Sequence, residues 1–93
     1  MPFIRQVRVA EPGTHAEHVV EVRYSTLTTG RLRSASREQV YDAVRAGTRF
    51  RTVDEVTHNQ ADVVARVSTR GTRYVATVAN GRETDNILHL PRY

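Results

Sequence analysis

Ninety-three residues with a net charge of +4, no cysteine and no lysine bound what this chain can be. The length supports one domain, residues 1–93, since two would each be too small to bury a core; without cysteine, disulfide stapling and thiolate metal centres are excluded. No stretch approaches the ~20 apolar residues of a membrane helix, and MPFIRQVRVAEPG lacks the apolar run of a signal peptide, so the chain reads as cytoplasmic.

FIRQVRVA at 3–10 predicts a first strand, with Phe3, Val7 and Val9 on one parity and Ile4, Gln6, Arg8 and Ala10 on the other. EPGT at 11–14 signals a turn. HVVEVRY at 18–24 predicts a second strand, with Val20, Val22 and Tyr24 facing one way and Val19, Glu21 and Arg23 the other. The two suggest an antiparallel hairpin with a long connection. STLTTG at 25–30 is a second turn, and RLRS at 31–34 starts a short third strand. Ser36 followed three residues on by Gln39 is a capping box. Val40, Ala43 and Val44 then form an apolar stripe at helical spacing, and Gly47 follows as a stop. The helix is predicted over Ser36–Ala46.

TRFRTV at 48–53 predicts a strand with Phe50 inward. DEVTHNQ at 54–60 reads as a polar loop, and ADVVARVS at 61–68 as a further alternating strand. RYVATVA at 73–79 follows a turn at Gly71. Asn80-Gly81 is a strong two-residue hairpin signal, because a type I′ turn needs positive φ twice. The chain should fold back through Arg82–Thr84. The fold class is therefore α+β, in the order β-β-β-α-β-β-β: one helix on one face of a largely antiparallel sheet of five to seven short strands. Fourteen valines and eleven threonines fit this, since β-branched residues favour strands, but four leucines and two isoleucines leave a thin core. A thin core favours help from a second copy, so a homodimer is one expectation.

The last ten residues, TDNILHLPRY, pair Asp85-Asn86 with an apolar triplet and Leu90-Pro91 before Tyr93. This closing signature resembles that of an uncharacterised bacterial and phage family, domain of unknown function 3892. SASREQVYDAV and HVVEVRY resemble the family's helix start and its Val-rich strand, so the likeness spans nearly the whole chain. Many members carry Trp where this chain has Tyr24, and the loop at 54–60 is more polar than usual. The resemblance implies a small standalone or appended module. It supplies no activity, cofactor or partner.

All 14 basic residues are arginine. A GC-rich coding sequence accounts for the absence of lysine, yet guanidinium groups suit phosphate and carboxylate, and the net charge permits anion binding. Arg31-Leu32-Arg33 and Arg49-Phe50-Arg51 each place two arginines on the face opposite the apolar residue. Side by side they would form one patch, extended by Arg66 or Arg23, able to follow a phosphate backbone. Against this stands an ordinary solvated face with Arg–Glu pairs. Tyr24 and Tyr74 are candidate stacking or ligand contacts, or else core residues. Asp85 and Asn86 either hold a tight turn through their own side chains or hydrogen-bond a ligand.

His15 and His18 have metal-like spacing but lie in a loop entering a strand, without an obvious third ligand, so no metal and no cofactor is expected. No nucleophile motif or phosphate-cradling glycine loop is present, and the protein reads as non-enzymatic. The leading expectation is a binding module for a polyanion such as nucleic acid. Alternatives are a binder of nucleotides or other phosphorylated small ligands, and a protein-interaction or assembly module, phage- or defence-related.

Overall fold

The computed structural model describes residues 2–28 and 30–93; Met1 and Thr29, the latter within the turn predicted at 25–30, lie outside the described residues. The elements are β1 (Phe3–Val9), β2 (Val19–Ser25), β3 (Arg33–Ser36), α1 (Arg37–Arg45), β4 (Arg51–Val53), β5 (Gln60–Val67), β6 (Arg73–Ala79) and β7 (Arg82–Thr84), with 3₁₀ turns at Ala16–His18 and Asn86–His89. The element order is the predicted one. A single seven-stranded sheet runs β3-β2-β1-β4-β5-β6-β7. Among the described residues β1 and β4 form its one parallel pair, at Phe3–Arg51 and Ile4–Thr52.

The capping box sets the start of α1: Ser36 Oγ accepts from the Gln39 N–H at 3.1 Å, and Gln39 Oε1 accepts from the Ser36 N–H at 2.8 Å. Gly47, at φ +101°, ends the helix. Val40 and Tyr41 are its buried residues. The sheet curls around α1, which touches β5 and β6 on one wing and β2 and β3 on the other, while the Ala16–His18 turn reaches across to β6. Ile4, Val7, Val19, Val22, Val40, Tyr41, Phe50, Val63, Val75, Ile87 and Leu90 form one core.

Strict alternation in the first hairpin is overturned. Ile4 joins Val7 and Val9 on the core side in place of Phe3, and Val19 joins Val22 and Tyr24 in place of Val20. The register shifts between Ile4 and Gln6 and again between Arg8 and Val9. Each β-bulge inserts one residue and reverses which parity faces inward. The third strand is Arg33–Ser36 rather than 31–34, and the fourth is Arg51–Val53 rather than 48–53. Asn80 and Gly81 take φ +54° and +76°, and Ala79 pairs with Arg82, as a type I′ turn requires.

The closing segment completes β1. β4 covers only Phe3 and Ile4; farther along, Val7 N–H donates to Pro91 O at 3.0 Å and Tyr93 N–H donates to Val7 O at 3.1 Å. Arg92 thereby forms a parallel bridge with Val7, in the slot that β4 vacates. The bend into this segment is held by threonines. Thr77 Oγ1 donates to Thr84 O at 3.0 Å and accepts from the Ile87 N–H at 3.3 Å, while the Thr84 hydroxyl donates to Thr77 Oγ1 at 3.0 Å. Asp85 makes no side-chain cap. The Asp85-Asn86 side chains are thus not what fixes the bend.

Two stability predictions follow from this closure. Ile87→Ala, at a fully buried site, should destabilise the domain by about 2–5 kcal/mol in urea titration. Thr77→Val should cost about 1–3 kcal/mol, because it strands the Ile87 N–H in the interior; Thr77→Ser should recover most of that loss.

Candidate functional site

The two Arg-x-Arg segments are not neighbours. β2 and β1 separate β3 from β4, so the four guanidinium groups form no single row. Arg51 donates to Asp62 Oδ1 at 2.6 Å and to Gln60 at 3.2 Å, and Arg49 reaches the same Asp62 oxygen at 3.5 Å. Arg66 lies 3.7 Å from Glu83. That pair crosses β6 between the rows of Tyr74 and Val78, over Ala76, which is only 1% exposed. These three arginines act as cross-strand ion pairs on the face away from α1. Arg31 and Arg33 are exposed at the opposite edge and have no ion pair among the described residues.

A different set of guanidinium groups does converge. On the outer face of β1 and β2, Arg23 lies 4.0 Å and Arg8 5.0 Å from the centroid of the Tyr93 ring. No carboxylate forms an ion pair with either among the described residues. Glu21, opposite Arg8 in the sheet, accepts a hydrogen bond from the Tyr93 hydroxyl through Oε1 at 2.7 Å. Gln6 lies opposite Arg23, at a marginal 3.5 Å. Cation–π contact holds both guanidinium groups near the ring without neutralising them. Arg8 and Tyr93 were not among the residues singled out by sequence. Arg8 was counted only as a strand parity, and nothing local marks Tyr93 as the residue that gathers two arginines.

Tyr24 turns inward, its ring edge-on to Phe50 at 5.8 Å. Tyr74 lies half-buried on the outer face beside Arg66, and burial pushes its phenol pKa up. Asp85 is exposed, whereas Asn86 lines a cleft of about 210 Å³ with Thr52, Asp54, Thr57, Asn59, His89 and Leu90. His18 Nδ1 accepts the N–H groups of Thr14 and His15, both at 3.1 Å, which ties the loop ahead of β2.

The architecture is that of a small single-helix α+β domain whose last segment completes its own sheet. No helix among the described residues is long and apolar enough to cross a membrane. Residues 3–91 match the family described as Protein of unknown function (DUF3892). The chain belongs to that family. No curated protein and no solved structure matches it.

The phenol of Tyr93 gives this cluster a pH signature. Burial first, then the hydrogen bond to Glu21, pushes its pKa from 10.0 up to about 12. In the window between those values the unfolded chain gives up this proton while the folded chain keeps it. The group's contribution to stability is therefore whole below pH 10 and is lost as the pH rises towards 12. Alkaline unfolding monitored with tyrosinate absorbance should show this late titration, and Tyr93→Phe should remove most of it.

Proposed function

We propose that this protein is a cytoplasmic, non-enzymatic module that binds a polyanion, with nucleic acid as the leading candidate, through the outer face of β1 and β2. One observation supports this reading above the others: Arg8 and Arg23 both lie against the Tyr93 ring and neither forms an ion pair among the described residues, on a chain of net charge +4. Arg31 and Arg33 are exposed at the β3 edge, but Arg33 pairs with Tyr24 on the core face of the sheet and so lies off this surface. Guanidinium groups suit phosphate oxygens through paired N–H donors. Arg49, Arg51 and Arg66 contribute less, since each is already engaged by Asp62 or Glu83.

Fluorescence anisotropy with single-stranded and duplex oligonucleotides at several salt concentrations tests this. Affinity should fall as salt rises, and Arg8→Gln/Arg23→Gln should lower the log–log salt slope by about 2, one for each lost phosphate contact. Arg49→Gln/Arg51→Gln should leave the slope unchanged. A mononucleotide competitor that displaces the polymer at equal concentration would turn the reading to a phosphorylated small ligand. An absence of salt-dependent binding, or a slope indifferent to Arg8 and Arg23, would refute it.

A further inference from the structure

The cleft beside Asn86 is separate from the arginine surface and has the opposite character. It opens at the C-terminal end of β4, where the parallel pair divides: the chain leaves β1 towards β2 and leaves β4 towards β5, on opposite sides. Thr52 lines it at 1% exposure. Every fully enclosed side-chain polar atom among the described residues has a partner, and no hydrogen bond engages the Thr52 hydroxyl, so that oxygen faces the cleft. The side-chain amides of Asn59 and Asn86 and the His89 imidazole likewise make no hydrogen bond among the described residues.

The lining contains no arginine. Asp54 Oδ1 accepts the N–H groups of Val56 at 2.8 Å and Thr57 at 3.1 Å, and these bonds, the one from Thr57 foremost, hold its pKa below the usual carboxylate range. Its second oxygen is engaged by no group among the described residues. The cleft thus offers one carboxylate, two amide oxygens and a hydroxyl, with Leu90 as an apolar wall. We propose that it binds a small organic cation, a primary ammonium or guanidinium group on a short apolar stem. The charge meets Asp54, the N–H donors meet Asn86, Asn59 and Thr52, and the stem lies on Leu90. A phosphate group would meet the Asp54 carboxylate here, with no arginine in the lining to balance it.

The test is a ¹⁵N-resolved NMR titration of the 93-residue protein with butylammonium chloride, with butanol and inorganic phosphate as controls. Butylammonium should produce saturable shifts at the amides of Val56, Thr57, Asn59 and Asn86, and neither control should. Asp54→Asn keeps an oxygen for the two loop N–H groups while removing the charge, and should weaken binding about tenfold, the worth of one charge-assisted hydrogen bond. Asn86→Ala breaks no bond within the protein and should also weaken binding, which covers the case of a misfolded Asp54 variant. Arg8→Gln/Arg23→Gln should bind butylammonium normally, so failure of the polyanion reading leaves this one intact. Shifts of equal size with butanol or phosphate, no saturable shift, or unchanged affinity in Asp54→Asn would overturn it.

Discussion

β4 is shorter than the strand it pairs with, and the rest of the domain is arranged around that deficit. It contributes three residues against seven in β1 and covers only the first two. Val7, fully buried, would otherwise have an unpaired N–H and C=O on that side. Buried backbone groups without partners cost as much as lost hydrogen bonds. Pro91 and Tyr93 meet both, and Ile87 and Leu90 enter the core on the way. The same displacement creates the two candidate sites. Where β4 stops, its slot passes to another segment and leaves a cleft between them; where that segment stops, Tyr93 lies on the outer face beneath two arginines.

The parts of this fold legible in the sequence are those set by local chemistry. Ser36 and Gln39 fix the helix start through two hydrogen bonds within four residues, and Asn80-Gly81 fixes a turn by allowing positive φ. Both are properties of adjacent residues. Alternation failed in β1 and β2 because a bulge adds a residue without leaving a compositional mark; Arg5 and Val20 look like ordinary strand positions. Strand order was also beyond reach. Alternation assigns faces but not neighbours, so two Arg-x-Arg strands joined by a helix suggested adjacency, whereas the helix crosses over β1 and β2. Asp85-Asn86 has the composition of a self-bonded turn, yet the Thr77 and Thr84 hydroxyls, brought together by the β6–β7 hairpin, take that role.

The carboxylates decide which arginines remain available. Asp62 serves Arg49 and Arg51, Glu83 serves Arg66, and Glu55 takes Arg5 at the bulge. Glu21, opposite Arg8 in the sheet, accepts the hydrogen bond of the Tyr93 hydroxyl and keeps its negative charge beside Arg8 and Arg23, although neither arginine forms an ion pair with it among the described residues. Arg49, Arg51 and Arg66 are thus drawn into ion pairs, whereas Arg8 and Arg23 are held against an aromatic ring. Composition alone, at +4, contains no sign of this partition.

The bridge between Val7 and Arg92 also has a kinetic consequence. It joins residues from opposite ends of the described chain, so forming it closes a loop containing nearly every other element. The entropy of that closure is offset only when the intervening contacts already hold the ends near one another. The β1–β2 and β5–β6 hairpins and α1 can assemble from nearer neighbours. The closing segment should then dock last and open first, making its amides the least protected of the hydrogen-bonded set in exchange experiments.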